Sequence, residues 1–206
     1  IPTIPTAVYT FEGVNNNCGC LPPDVEGDVG PNHYFEMVNL HFRIFDRSGT
    51  PLNAITTNNT IWSGLTNCGP RNDGDPIVLY DPIADRWFAS QFAVIGNCGP
   101  SYQCIAVSQT GDPLGAWYRA EFKHGFTLNN YFGDYPKFGL WVTSPGTQNN
   151  NTYYMMVHQF GGRLCLFRGS GFYAIQRDAF MNGQPFWIIY WNVGSVNTCV
   201  GSVRCV

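Results

Sequence analysis

The sequence predicts an all-β protein of propeller type, built from repeated short antiparallel sheets and stapled by disulfides. Three observations carry this. First, three stretches vary one theme: Asp24 to Leu52, Asp73 to Trp117, and Gly133 to about Gly183. Each opens on an Asp-Gly-Pro turn and passes through apolar runs of strand length, at intervals of roughly 40–60 residues. Second, charged residues make up only 12% of the 206 residues, beside 23 Gly, 14 Pro and 16% aromatics. That is half the charge of an average globular chain, roughly 25%, and favours turns and buried strands over helices. Third, the eight cysteines are even in number and sit in turn-like contexts, as in a disulfide framework.

The elements follow in order. A Pro-punctuated tail leads into a strand over Ala7–Val14. Period-2 alternation runs from Tyr34 to Phe45 (YFEMVNLHFRIF), ending at the turn Asp46-Arg47-Ser48-Gly49. Ile77–Tyr80 and Trp87–Val94 form the next strands across Asp81-Pro82-Ile83-Ala84-Asp85. Tyr102–Ser108 and Trp117–Phe122 follow across Gln109-Thr110-Gly111-Asp112-Pro113. Phe138–Val142 and Tyr153–Phe160 flank a polar loop, 143–152, and Leu164–Arg168 and Gly171–Ile175 complete the third unit. Only Arg177–Asn182 looks helical. The longest apolar run, Phe186–Trp191 (FWIIYW), has the length of a buried strand. Composition is even, so residues 1–206 read as one domain.

The net charge of −3 with scattered Lys and Arg gives no footprint for nucleic acid. No apolar run reaches the length of a membrane span. The start, IPTIPTAV, fits a processed N-terminus or a fragment of a longer chain. Cys18, Cys20, Cys68, Cys98, Cys104, Cys165, Cys199 and Cys205 point to disulfides and an extracellular, secreted setting. CxxC pairs, which a zinc site would want, are missing. Cys98 with Cys104 and Cys199 with Cys205 are close enough to close hairpins, and Cys18 or Cys20 with Cys68 would link two units. Sequons at Asn58 and Asn150, both in polar loops, are expected to carry glycans in a eukaryotic source.

The words PPDVEGDVGPNHYFEMVN, NDGDPIVLYDPIADRWFASQF and YFGDYPKFGLW resemble a family of secreted microbial propeller-like proteins, over about Leu21 to Gln184. The resemblance implies a fold more than an activity. A looser likeness, to the Asp-box of sialidases, covers Thr110 to Trp117 with its spacing broken by one residue. Three units fall short of a ring of four to eight blades. The chain is then a fragment, a small closed ring, or a piece completed by oligomerising. Residues 1–14 and 186–206 are the segments available to close a ring or to add to a neighbour's sheet.

Asp24, Asp28, Asp73, Asp75 and Asp134 recur at the starts of the units, with Asn72. Calcium takes several such oxygens, whereas turn-capping uses the same carboxylates on backbone N–H groups. Tyr131, Asp134 and Tyr135 mix aromatics and a carboxylate in one turn, as a rim binding site would. Trp62, Trp87, Trp117 and Trp141 serve either sugar stacking or packing between units. Nothing selects a catalytic pair among Glu12, Glu26, Glu36 and Glu121. His33, His41, His124 and His158 form no metal motif, and no G-x-S-x-G elbow is present. The expectation is a non-enzymatic extracellular protein that self-associates into an oligomer or filament through sheet edges. The alternatives are a glycan- or protein-binding module and, behind it, a glycan hydrolase.

Overall fold

The computed structural model describes residues 6–126, 129–142 and 151–194. It is all-β, with three four-stranded antiparallel sheets. The first holds β1 (Glu26–Val29), β2 (His33–Val38), β3 (His41–Asp46) and β4 (Thr56–Thr57). The second holds β5 (Ile77–Asp81), β6 (Arg86–Val94), β7 (Ser101–Ser108) and β8 (Trp117–Lys123). The third holds β9 (Tyr131–Trp141), β10 (Thr152–Gly161), β11 (Leu166–Gln176) and β12 (Ile188–Val193). In each sheet the strands neighbour one another in chain order, because short turns join them as successive hairpins. The leading strands line up: β1 lies against β5 and β5 against β9. The sheets do not close on one another.

Alternation along the strands makes two cores. From β6, Trp87, Ala89 and Ala93 face the first sheet, meeting Phe35, Met37, Ile44 and Trp62. Phe88, on the opposite face, joins Ile105 and Val107 against Tyr153, Met155, Val157, Tyr173 and Ile175 of the third. A strand buried on both faces reads as a nearly continuous apolar run, which is why RWFASQFAV lacks a polar side. Trp87 is fully buried beside Phe35 and Tyr80, at 5.8 and 5.1 Å between ring centroids. Its indole N–H donates to the Gly111 carbonyl at 3.1 Å, so the ring is buried without an orphaned donor. The Cys68–Cys104 bridge ties the loop after a 3-10 turn (Asn58–Trp62) to β7. Closing its 36-residue separation stabilises the fold by about 3–4 kcal/mol through chain entropy.

Several expectations are corrected. Residues 7–14 form no strand; they lie over the outer face of the first sheet, where Phe11 meets Tyr34 and Phe45. Their side chains find a sheet face to cover, and the Val14 N–H donates to Glu36 at 3.1 Å. The run Tyr34–Phe45 is two strands, broken at Asn39-Leu40, where Leu40 takes φ 73°. Leu164–Arg168 and Gly171–Ile175 merge into β11. The single helical turn expected within Arg177–Asn182 is present, at Arg177–Phe180. The run at 186–191 supplies β12, an edge strand of the chain's own third sheet with one face uncovered.

The cysteine pairing differs too. Cys98 bridges Cys165, joining the β6–β7 and β10–β11 loops, and Cys18 pairs with Cys20. Cys104 cannot pair with Cys98, because its side chain lies in the core between the first and second sheets. Cys199, Cys205 and Asn150 lie outside the described residues. Asn58 is fully buried and its amide donates to the Val38 carbonyl at 2.9 Å, so a glycan there does not fit this fold.

Candidate functional site

The leading strands bring three of the predicted carboxylates together. Asp24 and Asp75 enter their sheets in the left-handed region, at φ 42° and 48°, and in the third unit Tyr135 does so at φ 52°. Asp24, Asp75 and Tyr135 are therefore the equivalent positions of the three units. Asn39, in the β2–β3 turn, is the hub. Its amide donates to Asp24 at 2.7 Å, and its oxygen accepts the Asp75 backbone N–H at 3.0 Å. Asp75 in turn accepts the Tyr135 N–H at 3.1 Å, so one chain of bonds spans all three sheets. Gly74, at φ 114°, has the space for this; a Cβ there would stand 2.6 Å from the Asn39 oxygen.

The cluster is electrostatically strained. Burial, then the charges of Asp24 and Asp134, push the Asp75 carboxyl up to about 7, against the lowering effect of the Tyr135 N–H. Burial raises Asp134 as well. Such shifts follow when like charges sit together out of water. Lys137 pairs with Glu26 at 3.2 Å and lies 4.4 Å from the centre of the Tyr135 ring. These groups line a cavity of about 200 Å³.

The other predicted positions separate from this cluster. Asp28 accepts the Tyr80 N–H at 2.7 Å and Asp73 the Val94 N–H at 2.7 Å, so both act as backbone caps. Among the described residues, no three His, Cys, Asp or Glu side chains are arranged to hold a metal ion. Tyr131, Asp134 and Tyr135 do not share one surface: the Tyr131 ring lies against Gly125 and Gly161, while Tyr135 is half exposed beside Lys137. Trp62 and Trp87 are buried as packing, and Trp141 is exposed. Glu36 and Glu121 are held by backbone N–H groups of Val14, Asn67 and Cys68. Asn39 escaped sequence reasoning; its signal was a polar residue interrupting an alternating run.

A second feature is a sheet face. In the third sheet, Phe138, Tyr153, Met155, Tyr173, Ile175, Ile188 and Tyr190 turn inward. The opposite face carries two cross-strand rows, Tyr154–Ala174–Ile189 and Met156–Phe172–Trp191. Tyr154, Ile189 and Trp191 are 46%, 45% and 49% exposed. Val193 and Trp141 extend this face at its margins. Among the described residues this face is open around Tyr154, Ile189 and Trp191, with only Ala174 of its two rows buried, whereas the outer face of the first sheet is covered by Phe11 and Val14. No helix among the described residues is long and apolar enough to cross a membrane. The chain matches no protein-family model, no curated protein and no solved structure.

Proposed function

We propose that this is an extracellular assembly protein of three propeller-type blades, whose third blade docks on a second copy of the chain. The observation that carries the reading is the uncovered apolar face of the third sheet. Both internal interfaces are made by apolar sheet faces meeting, and this face offers Tyr154, Met156, Phe172, Ile189 and Trp191 in the same manner. By strand spacing and rise, two rows on three strands measure roughly 14 Å on a side. Contiguous exposed apolar patches of a few hundred Å² mark interaction surfaces. A face of this size buries less than the roughly 1,200 Å² total of a specific interface, so a weak, transient association is expected. The two copies meet third sheet to third sheet, because Phe11 and Val14 already occupy the outer face of the first. A face-to-face contact of this kind closes a dimer. The Cys68–Cys104 and Cys98–Cys165 bridges support the extracellular setting.

The test is the mass of non-reduced protein across a dilution series, by light scattering after size exclusion. A concentration-dependent dimer is expected, with Trp191→Glu shifting it to monomer while the circular dichroism stays unchanged. A monomer at every concentration would sink the proposal. So would a dimer indifferent to Trp191→Glu and Tyr154→Lys.

A further inference from the structure

Between the second and third sheets, on the side of the bridged loops, runs a groove of about 860 Å³ that shares only Asp134 with the carboxylate cluster. Its floor is three phenyl rings. Phe92 and Phe132 stand 5.5 Å apart at 72°, and Phe132 and Phe160 stand 6.5 Å apart at 37°. Asp134 lies two residues from Phe132 along β9, and Arg163 sits in the loop beyond the Phe132–Phe160 pair. Asp73 adds a second carboxylate at the wall of the groove. Cys98–Cys165 fastens the two flanking loops to each other, so the site is held open before anything binds.

We infer that this groove binds an extended peptide segment bearing a basic side chain next to an apolar one. The apolar side chain fits the phenyl floor, and the basic group meets Asp134 and Asp73. Two carboxylates against one guanidinium give the complementarity its sign. The volume falls within the usual range of binding pockets, roughly 300–1,000 Å³. The shape argues against a sugar. Rings tilted by 72° and 37° make a cleft, not a flat platform for a pyranose, and phenyl rings bring no hydroxyl or indole N–H to a sugar's edge. Burial raises Asp134, against the lowering charge of His158, its register partner on β10.

Isothermal titration on the intact, non-reduced protein tests this with three probes: Ac-Gly-Phe-Arg-Phe-Gly-amide, its Glu-for-Arg counterpart, and cellohexaose. The basic peptide is expected to bind and the acidic one to bind at least tenfold more weakly. Asp134→Asn should weaken the basic peptide by about 10–100-fold, the loss of one charge-assisted hydrogen bond. Arg163→Glu, at an exposed loop position, should strengthen it. Equal binding of both peptides, or no effect of either substitution, would overturn the inference. Binding of cellohexaose with both peptides silent would overturn it in favour of a glycan site. Dimerisation through the third sheet's outer face is read separately by mass, so either idea can fail alone.

Discussion

Replacing Asp75 by Asn should make the protein more stable at neutral pH. The wild-type carboxyl titrates near 7 in the fold, against 3.8 for an ordinary aspartate, because it is buried beside Asp24 and Asp134. Between those values the folded chain keeps a proton that the unfolded chain has released. The stability linked to that proton is complete below about pH 3.8 and is lost as pH rises through about 7. A difference of this size costs the fold on the order of 4 kcal/mol once the group ionises. Asparagine keeps the geometry: its oxygen can accept the Tyr135 N–H, its amide can donate to Asp24, and it tolerates the φ of 48°. At this chain length 1 kcal/mol moves the melting temperature by about 2–4 °C. Asp75→Asn should therefore melt on the order of 10 °C above wild type at pH 8, and close to it at pH 4. The assay is a series of thermal melts from pH 4 to 8, comparing the two proteins at each pH. A difference that stays constant with pH would refute the reasoning, as would a variant less stable than wild type at pH 8.

Two further outcomes are expected. Arg177, buried, donates to Asp81 at 2.6 Å, and Tyr153 donates to the same oxygen at 3.1 Å, joining the second and third sheets. Arg177→Met should cost about 3–5 kcal/mol in urea unfolding, because it strands the Asp81 charge, and adding Asp81→Asn should recover part of the loss. His124 is fully buried between Gln103 and Tyr173, and burial lowers it to about 3. Its contribution is present above its unfolded value of about 6.5 and is lost as pH falls toward 3. From pH 6.5 to 4.5 this removes roughly 2–3 kcal/mol from wild type. His124→Gln, measured by urea midpoints over that range, should flatten the decline; an unchanged slope would count against a neutral buried imidazole.

Legibility differed sharply between strands and site. The runs at 77–80, 87–94, 102–108 and 117–122 were readable because two-residue alternation or an unbroken apolar run marks a strand wherever it lies. β1 and β4 were missed: EGDV and a two-residue Thr56–Thr57 pair carry no periodicity. Their pairing is supplied by β2 and β3, distant in pattern if not in sequence. Asp24, Asp75 and Asp134 were legible as a recurring residue type. That Asp24 and Asp75 converge on Asn39 was not, since no local signal records which turn a carboxylate will meet. His124 read as an isolated histidine; only the close approach of Gly133, where a Cβ would collide with its ring, explains the glycine beside it.

The sequence by itself determined the all-β class, the three-unit rhythm and the reliance on disulfides. These properties are local: turn chemistry, side-chain alternation and composition act within a few residues. The tertiary structure decided which cysteines pair, that Asn58 is buried, and which sheet face is left bare. It also decided that one aspartate in the repeat titrates close to neutral pH. Those outcomes depend on distances between residues tens of positions apart. Desolvation and charge repulsion act through space, so they take their values only once the sheets are packed.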